Sequence, residues 1–383
     1  MSREQRLLFL VAGAVMFFDT VFYAAVVPLL PSLTRALHLT KASAGVLTAG
    51  YALGTLAGSI PGGILAERSG PRVTLYTGLA LMGSSSLAFG LLDNVGLLDG
   101  ARFVQGFGGA FTWAGSLAWL VTLVPAERRG SAIGGALAAG IGGALFGPVV
   151  GTLAHALGRG PVFSAVVLVA LGLAAAVGLL PAPPRSSPLP DREPLTRQLR
   201  RPAIALGMWL VAVPAIASGA MNVLGPLRLG RLGAGAAGIG ATFLVAAGVE
   251  AVTAPAVGHL SDRRGRMFPL RIGLGAAAVA LLCFTLPRDA LLLAVVIVLA
   301  TVALGSFWAP AMAMLSDAAD TLGISQGYAM ALINLAWAAG QIVGAGGGGT
   351  LAKAAGDGLP LAGSAGLCIV TLAVLLAHRP PTT

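Results

Sequence analysis

A chain of 383 residues that is 56% hydrophobic and only 10% charged carries less than half the charge of an ordinary soluble protein. That excludes a water-soluble enzyme, a disordered chain and a disulfide scaffold, since Cys283 and Cys368 both sit inside apolar runs. The net charge of +10 lies in short basic clusters between apolar segments, which argues against nucleic acid as partner and leaves an all-α polytopic membrane protein.

Crossing a bilayer core of about 30 Å takes roughly 20 apolar residues. That length predicts twelve spans, at about 7–30, 43–62, 73–92, 97–121, 131–156, 161–181, 203–227, 237–257, 268–287, 290–314, 324–348 and 359–377. The run after Arg3 and Arg6 imitates a secretory leader. It continues past Asp19 to Pro28 without a small-residue cleavage site, and it is kept as the first span. With the N-terminus inside, 16 of the Arg and Lys residues fall on the inner side and 7 on the outer, with Arg102 in the fourth span. The bias places both termini in the cytoplasm. Between the sixth and seventh spans, 181–202 is Pro-rich and basic and reads as a cytoplasmic linker.

An internal repeat links the two halves. Gly63-Ile-Leu-Ala-Glu67-Arg68-Ser-Gly70, after the second span, matches Gly258-His-Leu-Ser-Asp262-Arg263-Arg-Gly265, after the eighth, at an offset of 195. Gly147-Pro148-Val-Val-Gly151 pairs with Gly344-Ala-Gly-Gly-Gly348 at 197, and Pro28 with Pro226 at 198. An even number of spans per half gives both halves the same orientation, so the repeat axis follows the membrane normal with a cavity between the halves. The expected domains are 1–181 and 203–383, joined by 182–202.

These motifs carry a family resemblance along the whole chain. The chain resembles the major facilitator superfamily, which implies twelve helices in two six-helix pseudo-symmetric halves. The loop Gly63 to Arg72 is similar to its signature between helices 2 and 3, with Glu67 where Asp is usual and Pro71 where a basic residue is usual. Arg102-Phe-Val-Gln105-Gly106 resembles the helix 4 motif of proton-linked members. Gly143-x3-Gly147-Pro148-x2-Gly151 resembles the helix 5 motif of antiporters. Within the superfamily, Asp19-x8-Pro28-Leu-Leu-Pro31 and the stretch from Tyr328 to Gly344 are similar to the vesicular monoamine transporter branch of the drug:proton antiporters. That branch carries further charges inside the membrane. By local motif its helix 2 Lys falls on Tyr51, its helix 7 Glu on Asn222, its helix 10 Asp on Gly305 and its helix 11 Asp on Asn334, so only the helix 1 acid is retained. The joint loss of the Lys and the helix 11 Asp avoids stranding one buried charge, and it implies a less charged cavity.

Physical reasoning adds roles. Gly50, Gly54, Gly58 and Gly62, like Gly135, Ala139, Gly143, Gly147 and Gly151, recur every fourth residue and share one helix face. Such stripes allow close helix contact, either static or broken and re-formed as the halves rock, and Pro148 invites a bend. Glu67, Arg68 and Arg72, with Asp262, Arg263 and Gly265, read as a cytoplasmic gate or as charge that sets topology. Within the spans the ionisable residues Asp19, Glu250 and Arg102 are costly, roughly 3 kcal/mol or more each, and such residues usually face a cavity. Asp19 has two uses, holding a proton or pairing with a cationic substrate, and competition between them is a minimal antiport mechanism. A structural salt bridge to Arg102 is its alternative, and packing against a neighbouring helix is the alternative for Glu250. Tyr23, Tyr51, Gln105, Trp113, Asn222, Trp308, Asn334 and Trp337 are the expected cavity residues, the aromatics offering cation–π faces or else packing on lipid or core.

The expected function is proton-coupled export of small amphipathic or cationic organic molecules by alternating access. A proton-coupled importer or facilitator of a small metabolite on the same fold is the alternative. No HExxH motif is present, and the four His residues lie near span ends, so neither an enzyme nor a metal or other cofactor is expected. The expected partners are a small-molecule substrate, protons and the lipid bilayer of a bacterial inner membrane. A monomer suffices, because one chain holds both halves.

Overall fold

The computed structural model describes residues 3–123, 129–180, 201–322, 324 and 326–377. Among these the chain forms twelve helical runs and no strand. They are α1 (Arg3–Ala36), α2 (Lys41–Arg68), α3 (Pro71–Leu91), α4 (Val95–Leu123), α5 (Arg129–Leu157), α6 (Arg159–Gly178), α7 (Pro202–Arg231), α8 (Ala236–Arg264), α9 (Met267–Cys283), α10 (Ala290–Thr321), α11 and α12 (Gly358–Ala377). The run α11 has three pieces, Gln326–Gln341, a π-helical turn Ile342–Gly347, and Gly348–Ala355. Most of the linker 181–202 lies outside the described residues, as does the side chain of Asp262.

Each run falls on an expected span; eight cover it fully, while α3, α6 and α9 stop one to four residues before its expected end and α11 begins two residues after its expected start. Seven described stretches are long and apolar enough to cross a membrane: Arg3–Ala36, Ala138–Leu157, Arg159–Gly178, Pro202–Arg231, Ala236–Ser261, Ala290–Thr321 and Gly358–Ala377. The rest fall short for local reasons. Gly and polar residues dilute α2, α3 and α4, α9 is 17 residues long, and α11 is broken by its π turn. Helix is the only structure an isolated segment can adopt in lipid, because every backbone amide must be satisfied locally. Pro28 and Pro31 lack that donor, and α1 is interrupted at Ala25, one turn before the first of them. Pro148 leaves α5 continuous from Arg129 to Leu157.

The chain divides into two compact units, one of Met1–Ser32 with Gly50–Arg192, the other of Leu33–Ala49 with Glu193–Thr383. The core of the first unit joins α1, α3, α4 and α6 through Leu8, Val15, Met16, Phe22, Leu75, Leu79, Met82, Trp119, Val166 and Val177. Lipid supplies no hydrophobic drive between helices, so close backbone packing takes its place. A Cβ on Gly54 would lie 1.9 Å from the Phe103 carbonyl oxygen, and one on Gly58 2.7 Å from that of Phe107, so the α2 stripe rests on α4. The α5 stripe rests on α1: Cβ atoms on Gly143 and Gly151 would lie 2.1 Å from the carbonyl oxygens of Phe17 and Ala25. Both stripes are therefore occupied inside the first unit.

The second unit repeats the arrangement. Gly344 of α11 meets the Ile216 carbonyl of α7, where a Cβ would sit 2.0 Å away. Arg72 of α3 donates from Nη2 to the Leu180 carbonyl, and Arg271 of α9 donates to that of Leu375 at 2.7 Å. Each arginine thus satisfies a carbonyl at the end of its unit's last helix, groups that the helix itself leaves open.

Candidate functional site

Asp19 lies midway along α1 with only 1% of its surface exposed. Its neighbours come from α2 and α4. Tyr51 donates from its hydroxyl to Asp19 Oδ2 at 2.7 Å, and Trp113 donates from Nε1 to the same oxygen at 3.0 Å. Asp19 Oδ1 has no hydrogen-bond partner among the described residues. Arg102 is as deeply buried as Asp19. Its Nη1 donates to Gln105 Oε1 at 2.6 Å and its Nη2 to the Tyr23 carbonyl at 3.3 Å, while Nε is left without a partner among the described residues. The guanidinium also lies over two rings, Tyr51 at 5.3 Å and Tyr23 at 5.8 Å, which are themselves 4.6 Å apart. The hydrogen bonds of Arg102 thus go to a carboxamide and a carbonyl, not to Asp19, and the salt-bridge alternative is not the arrangement seen.

The glycines of α4 make room for this cluster. A Cβ on Gly106 would lie 1.8 Å from the Tyr51 carbonyl oxygen. One on Gly109 would lie 2.7 Å from the Tyr51 hydroxyl and 3.0 Å from Asp19 Oδ1. The structure therefore brings together Asp19, Tyr23, Tyr51, Arg102, Gln105 and Trp113 from the first unit, an acid and a base that each keep one unsatisfied polar atom.

Asp99, one turn before Arg102 on α4, also has a buried carboxylate oxygen without a partner among the described residues. Sequence reading missed it, although an acid three residues from Arg102 in an apolar run is a visible signal. In the second unit, Glu250 of α8 packs on Gly305 of α10, where a Cβ would sit 2.4 Å from its Oε1. Asn222, Trp308, Asn334 and Trp337 are half-buried on α7, α10 and α11. Glu67, Arg68 and Arg263 are exposed at their helix ends, Gly70 and Gly265 take positive φ (88° and 79°), and Arg72 lies 5.6 Å over the Trp119 ring. Among the described residues no group of three or more His, Cys, Asp or Glu side chains is placed to hold a metal.

A second charged cluster, unforeseen from the sequence, sits in the turn between α11 and α12. Asp357 is buried, with its side chain 5% exposed. Lys41 at the start of α2 donates to Oδ1 at 2.6 Å, Arg231 donates to Oδ2, and Arg228 lies 3.9 Å away. Burial pushes this carboxyl up. The hydrogen bonds and charges of Lys41 and Arg231 outweigh that and hold it below its ordinary range.

Comparison with known proteins decides the family: the Major Facilitator Superfamily matches residues 9–328. The chain belongs to that superfamily. Its fold is that of a multi-pass membrane protein of this superfamily. "Multidrug resistance protein 2" of Bacillus subtilis (strain 168) is 28% identical over 170 residues, 44% of this chain and 42% of that protein. "Probable vesicular acetylcholine transporter-B" of Danio rerio is 30% identical over 163 residues, 40% of this chain and 33% of the other. This chain thus spans under half the length of either relative. Among solved structures, a D-xylose-proton symporter superposes with a TM-score of 0.78 at 17% identity, covering 98% of this chain and 97% of that one, which establishes the shared fold.

Proposed function

We propose that this superfamily member exports small amphipathic or cationic organic molecules in exchange for protons, by alternating access between the halves 1–181 and 203–383. It works as a monomer in a bacterial inner membrane with both termini in the cytoplasm. One observation carries the reading. Asp19 is a buried acid whose Oδ2 is held by two donors and whose Oδ1, equally buried, has no hydrogen-bond partner among the described residues. Once alternating access uncovers that oxygen, a proton or a substrate ammonium can bind it, and the two exclude each other. Tyr51 and Trp113 supply aromatic surface beside it, suited to an organic cation. The likeness to a multidrug resistance protein supports the export direction, and the Arg and Lys bias supports the orientation.

Purified protein in proteoliposomes, with ethidium as the probe and an imposed pH gradient, tests this. The expected result is gradient-driven ethidium accumulation in vesicles of inverted orientation, abolished in Asp19→Asn. Ethidium movement indifferent to both the gradient and Asp19→Asn sinks the shared-carboxylate mechanism. Accumulation in the opposite orientation would favour the importer reading.

A further inference from the structure

We propose that Tyr51 is the positioning residue that couples Asp19 to Arg102, a role that rests on reading Asp19 as the proton acceptor. Two ends of one side chain do different work. The hydroxyl donates to Asp19 Oδ2 at 2.7 Å, and the ring face lies 5.3 Å from the Arg102 guanidinium carbon. The acid and the base are joined through a phenol instead of by an ion pair. The space it occupies is cut for it, since a Cβ on Gly109 would come within 2.7 Å of the hydroxyl.

The same geometry selects the atom that is loaded. Both Tyr51 and Trp113 donate to Oδ2, so its lone pairs are engaged, while Oδ1 keeps its own free of donors among the described residues. When that oxygen is uncovered, a proton from hydronium adds to Oδ1 and leaves a water molecule, and no bond to carbon or nitrogen breaks. Asp19 changes from carboxylate to neutral acid. Hydrogen bonds to a charged acceptor are roughly twice as strong as those to a neutral one, so loading loosens the grip of Oδ2 on the phenol. The ring is then free to turn from beneath the guanidinium, and Arg102 registers the change. The titratable and charged groups that face Asp19 are Tyr51 of α2 and Arg102 of α4, with Tyr23 on α1 itself beside them. Among the described residues α5 and α6, which also pack on α1, bring none.

Trp113 is a built-in reporter, because its indole N–H rests on the same carboxylate oxygen. The test follows the emission of the purified full-length protein against pH, as the difference between wild type and Trp113→Phe. A pH transition is expected in wild type and none in Asp19→Asn. Tyr51→Phe, which keeps the ring and loses the donor, should carry the transition to higher pH by about one unit, a tenfold gain in proton affinity. Tyr51→Leu, which also lets Arg102 move away, should carry it further. If wild type shows no transition, Asp19 is no proton acceptor and the proposal falls with that reading. If the transition is present but unmoved in Tyr51→Phe, the Asp19 reading stands and the role of Tyr51 is refuted. Equal shifts in Tyr51→Phe and Tyr51→Leu refute the link to Arg102.

Discussion

Replacing Asp357 by Asn removes the one negative charge that Lys41, Arg228 and Arg231 share. Breaking a buried ion pair by deleting one partner costs about 3–5 kcal/mol, because the survivor is left charged and dry. Here the survivors are not dry. Lys41 is 29% exposed, Arg228 19% and Arg231 53%, so water reaches all three once the acid is gone. The contact with Arg231 is then worth little more than a surface pair, about 0–1 kcal/mol. The expected loss is about 2–3 kcal/mol, which at roughly 2–4 °C per kcal/mol lowers the melting temperature by about 5–10 °C. Thermal unfolding of the detergent-solubilised protein, followed by tryptophan emission, measures it. In the Lys41→Met background the same substitution should cost clearly less, since one of its partners is already missing. A melting temperature unchanged to within a degree in Asp357→Asn, or full additivity with Lys41→Met, refutes the reasoning. The pH dependence has a definite sign. A carboxyl held below its ordinary range stabilises the fold above that range and loses the effect as pH falls through its folded value. Wild type should therefore show no contribution from this cluster to any change between pH 7 and 5. Below about pH 4 it should weaken progressively, whereas Asp357→Asn lacks that acid-sensitive component.

Other outcomes are open to direct measurement. Gly54→Val should fail to yield folded protein by size-exclusion chromatography, because its Cβ would strike the Phe103 carbonyl, while Gly63→Ala, with nothing within 4 Å, should elute as wild type. Arg72→Leu and Arg271→Leu should each lower stability by about 1–3 kcal/mol by leaving a helix-end carbonyl unsatisfied. Similar melting shifts for the two would match their equivalent places in the repeat, and no shift in either would contradict the capping role. Gly109→Ala should impair the pH response of Trp113 emission, since its methyl would press on both Asp19 oxygens and the Tyr51 hydroxyl.

Much of this molecule is legible in one dimension because a bilayer leaves the backbone few choices. A run of some 20 apolar residues must be helical to satisfy its own amides, and the helical runs indeed fall on the expected spans. An acid at position 19 in such a run is conspicuous without coordinates, as is a repeat of Gly-x4-Arg loops at an offset of 195. Partnership is what the linear order withholds. Tyr51 and Trp113 stand 32 and 94 residues from the carboxylate they share, and Lys41 stands 316 residues from Asp357. Glycine spacing announced two smooth helix faces, yet only packing assigned one to α4 and the other to α1. Hydropathy depends on each residue and its near neighbours, so it can be summed along a string. Hydrogen-bond direction and backbone approach depend on which distant helix arrives alongside, and folding alone settles that.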